Sequence, residues 1–288
     1  MRRWNKYWLD PAGKGVKYAR QDSSFEEHSK GMGYYNADDA YSNRQEFFKK
    51  YFFGYQNSRL EYYDKFLRKH LDRSWDILSV GSGRCANELF LGEDGFKITC
   101  SDLELIQAFE RTKNIFPELD FIKLDILASC APKQFDCLVS LSLIYLFDGR
   151  ELDTFFRNSR KSLKKGGFLL LDSAGSPDNL LSFLINDIFL KAEANFLRLM
   201  KFISTGSQPG LLVKRHGWRR TDNEIIAAAK RNGFEIIERE YYSFFNEFRR
   251  SAIYARAVPC GSAMELVFEP LGRRIPYVRM FKFRKKGE

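Results

Sequence analysis

Residues 77–83 read Ile-Leu-Ser-Val-Gly-Ser-Gly, an apolar run of strand length that ends in two glycines one residue apart. A helical pattern follows from Ala86 to Leu91, which places the glycines at a strand-to-helix turn. Small residues at such a turn let the backbone approach a ligand closely, and the helix N-terminus presents free N–H groups to it. The stretch therefore predicts a ligand-binding turn at the carboxyl end of a strand.

Short apolar runs and helical patterns alternate around this stretch, from residue 75 to residue 175. Further strands are predicted at residues 96–100, 121–124, 136–141 and 168–171. The helix before the last of them is expected to end at Gly166-Gly167, because glycine is favoured just past a helix C-terminus. This alternation is typical of βαβ units, so it predicts an α/β protein with a parallel sheet.

The pattern changes towards the end of the sheet. A capping box, Thr221-Asp-Asn-Glu224, predicts the start of another helix, which Gly233 ends. Strands are then predicted at residues 234–238 and 251–255. The residues between them are too few for a crossover helix, so these two strands are expected to be antiparallel.

The chain divides into a cap, a core and an extension. Residues 1–70 carry many aromatic side chains at helical spacing and predict a helical N-terminal cap. Residues 71–258 form the core, with an amphipathic insertion at 176–214. The insertion is interpreted either as a helix lying on the domain or as a lid over a pocket. Residues 259–288 form a basic C-terminal extension.

Composition excludes several classes of protein. The net charge of +10 is concentrated at the two ends of the chain, where it indicates either solvated termini or a surface for a phosphate-bearing partner. The five cysteines form no Cys-x-x-Cys pair, so neither a disulfide framework nor a metal site is expected. No apolar leader and no long uncharged apolar run occurs, which predicts a cytoplasmic protein without a transmembrane segment.

Acidic residues follow the second and third predicted strands. Asp102 lies 21 residues after Gly81, where a carboxylate can accept hydrogen bonds from both hydroxyls of a ribose, and Asp125 follows the next strand. Together with the glycine turn, these positions predict a cofactor that contains a nucleoside. Residues 81–86 also fit the Gly-x-Gly-x-x-Ala form of the dinucleotide fingerprint, so a nicotinamide cofactor is an alternative at this point.

Four stretches resemble the class I S-adenosylmethionine-dependent methyltransferases. They are Ile77-Leu-Ser-Val-Gly-Ser-Gly83, Ile98-Thr-Cys-Ser-Asp102, Phe135-Asp-Cys-Leu-Val-Ser140 with Leu143-Ile-Tyr145, and Lys164-Lys-Gly-Gly-Phe168 with the apolar run to Leu171. The resemblance covers residues 70–258. It implies a Rossmann-like, doubly wound seven-stranded sheet with one antiparallel strand, plus the helical N-terminal cap and the helical insertion after the fifth strand. It also implies S-adenosyl-L-methionine as the cofactor and argues against a nicotinamide cofactor, whose fold is typically all parallel.

The resemblance implies a cofactor site at the carboxyl ends of the strands. Its expected residues are Gly81, Ser82 and Gly83 around the methionine part, Asp102 and Leu103 at the ribose, Asp125 and Ile126 at the adenine, and Ser140 and Leu141 at the sulfonium. Two positions depart from the family pattern. Ser79 stands where the family often has an acid, and Cys85 stands where it often has a third glycine.

Acceptor-side residues are predicted around the same edge. His216, just after the insertion, is the candidate general base, and Tyr145 is the next candidate for the acceptor pocket. Arg215 could hold an anionic group of the acceptor. Tyr34 and Tyr35 could cover the cofactor from the N-terminal region.

The predicted function is transfer of a methyl group to oxygen or nitrogen of a small molecule or glycan by in-line displacement. Basic termini suggest a nucleic-acid substrate as an alternative, but the place after the fourth strand reads Leu141-Ser-Leu-Ile-Tyr145 and not the Asn/Asp-Pro-Pro-aromatic segment of such enzymes. A catalytically inactive cofactor-binding protein is the other alternative. The oligomeric state cannot be read from the sequence.

Overall fold

The computed structural model describes residues 2–4, 7–9, 15–17, 41–53, 59–103, 112–174, 180, 184–206, 217–243, 257–258, 262–264, 266–267 and 276–287. The strands are β1 (Arg2–Trp4), β2 (Tyr7–Leu9), β3 (Gly15–Lys17), β4 (Asp76–Val80), β5 (Lys97–Asp102), β6 (Asp120–Lys123), β7 (Phe135–Ser140), β8 (Leu163–Ala174), β9 (Gly217–Arg219), β10 (Phe234–Ser243) and β11 (Pro276–Lys285). The helices are α1 (Arg44–Phe48), α2 (Arg59–His70), α3 (Ala86–Gly92), α4 (Gly149–Ser162), α5 (Leu190–Thr205) and α6 (Asp222–Arg231), with π-helical turns at Lys49–Phe53 and Leu184–Phe189 and a 3₁₀ turn at Ile144–Leu146.

A seven-stranded sheet runs through the centre in the order β10-β11-β8-β7-β4-β5-β6. The strands from β8 to β6 are parallel, whereas β11 is antiparallel to both of its neighbours. Leu78 and Ile77 of β4 are both fully buried, in two different core clusters, because helices cover the sheet on both faces. The predicted Rossmann-like sheet with one antiparallel strand is confirmed.

The antiparallel strand comes from the C-terminal residues. The strand predicted at residues 251–255 lies outside the described residues, and the observed partner of β10 is β11, which also pairs with β8. Val278, Met280 and Phe283 on β11 are fully buried. Part of the predicted basic extension thus forms a central strand, because cations that alternate with apolar residues are also the pattern of a strand.

The start of β8 corrects another boundary. The helix α4 ends at Ser162, and β8 begins at Leu163, so Gly166 and Gly167 lie within the strand and do not end the helix. A Cβ atom at Gly167 would come within 2.9 Å of the carbonyl oxygen of Asp136. Glycine is present there because the neighbouring strand approaches closely.

The aromatic residues near the N-terminus pack against the sheet domain. Phe47 and Phe48 make edge contacts with Phe116, and Phe52 stacks on Phe90 of α3 with ring centroids 4.2 Å apart. These rings belong to one hydrophobic core cluster. Among the described residues of the predicted cap, α1, the π-helical turn and α2 are helical, whereas β1, β2 and β3 are strands.

The described part of the insertion contains the π-helical turn at Leu184–Phe189 and α5. Its apolar residues Ile188, Phe196, Met200 and Ile203 are exposed, whereas Glu193 is buried. The face that its sequence pattern marks as apolar is thus the exposed face. None of the helices in the described ranges has the length and apolar character needed to cross a membrane.

Candidate active site

The glycine turn joins β4 to α3 at the carboxyl edge of the sheet. Gly81 and Gly83 have φ values of 71° and 54°, in the left-handed region that glycine enters at little cost. The N–H groups of Gly81 and Ser82 both donate to the carbonyl oxygen of Ser101, at 2.8 and 3.0 Å. These bonds fasten the turn to the neighbouring strand β5.

The turn is in contact with the loop after β7. A Cβ atom at Gly81 would lie 3.0 Å from both methyl carbons of Leu143, closer than side chains normally approach. Glycine at this position therefore lets Leu143 pack directly on the backbone of the turn. The loop after β7 and the glycine turn are therefore in contact at the carboxyl edge of the sheet.

Asp102 ends β5 beside the glycine turn. Its Oδ2 accepts from the N–H of Gly83 at 2.9 Å, and its Oδ1 accepts from the N–H of Leu103 at 2.7 Å. The side chain is buried, with 9% of its residue surface exposed. Burial raises the pKa of Asp102, and the two backbone bonds oppose that rise. Each carboxylate oxygen retains a lone pair that can accept from a ligand hydroxyl.

A carboxylate that the sequence analysis missed lies beneath the turn. Ser79 Oγ donates to Glu88 Oε1 at 2.5 Å, and both residues are buried. Burial raises the pKa of Glu88, although the bond from Ser79 opposes the rise. Helix α3 thus brings an acid to the position of the serine that replaces the motif acid. No local pattern marked Glu88, because it follows from how α3 packs on β4.

The end of β7 carries a buried polar atom. Ser140 is fully buried, and its Oγ has no hydrogen-bond partner among the described residues. Buried hydroxyls normally have a partner, so this atom is available to a ligand at the strand end. Leu141 follows and is half-buried, and Tyr145 lies in the 3₁₀ turn four residues on, also half-buried.

Two more residues missed by the sequence analysis hold the loop after β7. Asp172, at the end of β8, accepts from the N–H of Ser142 and from the hydroxyl of Tyr63 on α2. Arg220 donates to the carbonyl oxygens of Ile144, at 3.1 Å, and Phe147. Asp172 follows an apolar strand just as Asp102 does, so the same signal could have identified it.

Asp125 and Ile126, the residues expected at the adenine, follow strand β6. Asp125 Oδ1 accepts from the N–H of Leu127 at 2.9 Å, which is the bonding of an Asx turn. The Ile126 side chain is buried in the hydrophobic core, and its carbonyl oxygen accepts from Asn158 at 2.8 Å. Both residues lie at the carboxyl end of β6, but the side chain of Ile126 belongs to the core.

Four predicted acceptor-side residues lie outside the described residues. They are Tyr34, Tyr35, Arg215 and His216. Tyr145 is therefore the acceptor-side prediction that the structure places.

One group of metal-ligand type occurs in the described part of the chain, away from this edge. It consists of His70, Glu238 and Glu240. The ammonium group of Lys69 lies 2.7 and 2.6 Å from the two glutamates. An internal cation thus already pairs with both carboxylates, which is the arrangement of a structural ion-pair network.

Residues 78–171 match the family model described as "Methyltransferase domain". This segment contains β4 from Leu78 onward, the glycine turn, Asp102 and the whole of β7. The segment is thus similar to the methyltransferase domains of that family. No curated protein matches the chain.

Solved structures give the same fold for the methyltransferase domain and its flanking elements. The PH0226 protein from Pyrococcus horikoshii is 16% identical, with a TM-score of 0.56 over 91% of this chain and all of that one (100%). Magnesium protoporphyrin IX methyltransferase from Synechocystis, with S-adenosylhomocysteine bound, is 13% identical, with a TM-score of 0.51 over 91% and 95%. The [4+2]-cyclase SpnF is 17% identical, with a TM-score of 0.50 over 79% and 81%. At these identities the comparison establishes the fold alone.

The methyltransferase domain brings the predicted cofactor residues to one edge. The N–H of Gly83 donates to Asp102, and the N–H of Gly81 donates to the carbonyl oxygen of Ser101, the residue before Asp102. Ser140 ends β7, which pairs with β4 in the same sheet. The domain thus presents backbone, a carboxylate and a buried hydroxyl at adjacent strand ends.

Proposed function

We propose that this chain transfers a methyl group from S-adenosylmethionine to oxygen or nitrogen of a small molecule or glycan. The observation that carries the proposal is the placement of Asp102. Its two oxygens are held by the N–H groups of Gly83 and Leu103 at the strand edge of a methyltransferase domain. A carboxylate fixed in this way can accept both hydroxyls of a ribose.

The residues at the edge fit this cofactor. Gly81 and Gly83 give the turn its left-handed backbone, Asp102 takes the ribose, and Ser140 offers a buried hydroxyl without a partner in the described residues. When bound, S-adenosylmethionine would supply a methyl group on a sulfonium: an acceptor oxygen or nitrogen would bond to the methyl carbon as the carbon–sulfur bond breaks, with S-adenosylhomocysteine as the leaving group. The contribution of this chain is to orient the cofactor and the acceptor and to exclude water.

The acceptor is held on the side of the loop after β7. Tyr145 lies two residues beyond Leu143, which contacts the glycine turn. A phenol there can orient an acceptor or stack against it. His216 as general base, Arg215 as anion contact, and Tyr34 with Tyr35 as a cover complete the proposal, and these assignments rest on the sequence.

Two other functions compete. A nucleic-acid acceptor is suggested by the net charge of +10, but charge alone specifies no partner. A protein that binds the cofactor without transferring a methyl group is the second alternative. The fold does not exclude it, because a similar structure is described as a [4+2]-cyclase.

The test begins with calorimetric titration of S-adenosylmethionine, S-adenosylhomocysteine and NAD. We expect micromolar binding of the first two and none of NAD. Radiolabelled methyl donor is then incubated with three separate pools, namely low-molecular-mass metabolites, glycans and RNA, with Asp102→Ala as the control protein. Label in the first or second pool supports the proposal, and label in RNA alone supports the nucleic-acid alternative. Binding without label in any pool identifies a cofactor-binding protein.

A further inference from the structure

Ser142, in the loop after β7, has an unusual backbone conformation. Its φ is 53°, in the left-handed region that residues with a Cβ atom rarely adopt. Such a conformation persists only where surrounding contacts impose it. The contacts of Ser142 therefore indicate what determines the course of this loop.

Those contacts come from Asp172 and Tyr63. The carboxylate of Asp172 accepts from the N–H of Ser142 with one oxygen and from the Tyr63 hydroxyl with the other. The Tyr63 hydroxyl also lies 3.2 Å from Ser142 Oγ. Tyr63 and Asp172 are only 1% and 4% exposed, so little water is present to replace these bonds.

The next residue carries this constraint to the glycine turn. Leu143 packs against Gly81 so closely that a Cβ atom at that glycine would be 3.0 Å from it. A loop that relaxed at Ser142 would move Leu143 relative to the turn. Arg220 fixes the far end of the loop through Ile144 and Phe147.

We propose that Tyr63 and Asp172 are positioning residues for the cofactor site. They hold Ser142 in its left-handed conformation, and this conformation in turn fixes the positions of Leu141 and Leu143 beside the glycine turn. This inference rests on the proposed function because it assigns the cofactor to that turn. Neither residue needs to touch the cofactor for the effect to occur.

The two acceptor oxygens of Asp172 allow a graded set of variants. In Asp172→Asn the amide oxygen can still accept from Ser142, and the amide nitrogen can donate to the Tyr63 oxygen, so the network survives with weaker neutral bonds. Tyr63→Phe removes one donor and keeps the ring. The control is Tyr62→Phe on the same helix, whose hydroxyl donates to the carbonyl oxygen of Tyr241 at 3.2 Å.

The experiment measures S-adenosylhomocysteine affinity by calorimetry and amide hydrogen exchange of residues 141–147 in the unliganded protein. We expect Tyr63→Phe to raise the Kd about tenfold and to accelerate exchange in the loop. The Kd and the loop exchange rate of Asp172→Asn should lie between those of Tyr63→Phe and those of the unmodified protein. Tyr62→Phe should change neither the Kd nor the exchange rate.

Normal loop exchange in Tyr63→Phe would overturn the proposal, and so would faster exchange with unchanged affinity. Failure of Asp172→Asn to fold would leave Tyr63→Phe to decide. If the unmodified protein bound no cofactor, the proposed function would fail separately. Loop exchange would then still show whether Tyr63 and Asp172 hold Ser142.

Discussion

Replacement of Asp102 by alanine is the most direct perturbation of the cofactor site. The side chain holds the N–H groups of Gly83 and Leu103 at 2.9 and 2.7 Å and has one remaining lone pair on each oxygen for a ligand. Alanine removes both ligand-facing acceptors and leaves the two N–H groups without their partner. We therefore expect Asp102→Ala to lose cofactor affinity without losing the fold.

The size of the loss follows from the hydrogen bonds. A bond to a charged group contributes about 1.5–3 kcal/mol, so two bonds to ribose hydroxyls contribute about 3–6 kcal/mol. Because 1.4 kcal/mol corresponds to a factor of ten, the Kd for S-adenosylhomocysteine should rise at least ~100-fold. Asp102→Asn should not restore binding, since its amide nitrogen would face a donor at either Gly83 or Leu103.

Calorimetric titration with S-adenosylhomocysteine measures this loss. The matched control is Asp120→Asn, because Asp120 accepts from Thr99 Oγ1 at 2.6 Å at the amino end of β6, the opposite end from the glycine turn. This control should bind within a factor of about two of the unmodified protein. A Kd for folded Asp102→Ala within threefold of the unmodified value would refute the assignment of the ribose acid.

Two further predictions concern the same turn. Burial raises the pKa of Asp102 above its ordinary value. Only the ionised carboxylate accepts on all its lone pairs, so S-adenosylhomocysteine affinity should fall as Asp102 becomes protonated. That fall should begin at a higher pH than for an aspartate with an ordinary pKa. Titrations across pH should find this acid limb missing in Asp102→Ala, and an equal limb in both proteins would contradict the idea. Gly81→Ala should cost about 1–2 kcal/mol of unfolding free energy for its positive φ, plus the clash with Leu143, and should weaken binding. Gly95→Ala, with φ of 83° and nothing within 4 Å, carries only the conformational cost, so equal losses in denaturation and binding for both variants would disprove the close approach.

The parallel strands were predictable because each is a short apolar run with a local signal at its end. Gly81 after β4 and Asp102 at the end of β5 are signals of this kind. The capping box at Thr221 was also found, and both of its reciprocal bonds are present. Such features depend on neighbouring residues in the chain, so one sequence is enough to reveal them.

The position of β11 depends on distant pairing. Its residues Lys282, Arg284 and Lys285 give it the composition of a solvated tail, while Phe281 and Phe283 beside Lys282 are buried. Burial of those rings against β8 and β10 decides the outcome, and no property of the local sequence shows which strands will be adjacent. The basic composition favours a solvated tail, but tertiary packing makes this segment a strand.

The missed site residues have the same explanation. Tyr63 and Asp172 are 109 positions apart in sequence and share a hydrogen bond. Tyr63 was indistinguishable from the other aromatics of the cap, and only the folded chain shows which ring reaches the strand end. Glu88 was overlooked because an acid in the first turn of a helix is ordinarily a favourable charge near the N-terminus.

The extent of the family match separates two parts of the site. Residues 78–171 contain the glycine turn, Asp102 and Ser140, but the groups that hold the loop after β7 lie outside that segment. Asp172 follows it directly, Tyr63 precedes it, and Arg220 lies beyond the insertion. Arg220 is held in turn by Arg279 of β11, which donates to its carbonyl oxygen at 2.7 Å. The matched segment contains the turn that we propose to bind the cofactor, whereas residues on both sides of the segment hold the loop after β7. If that loop borders the acceptor as proposed, substrate specificity should change with residues outside 78–171.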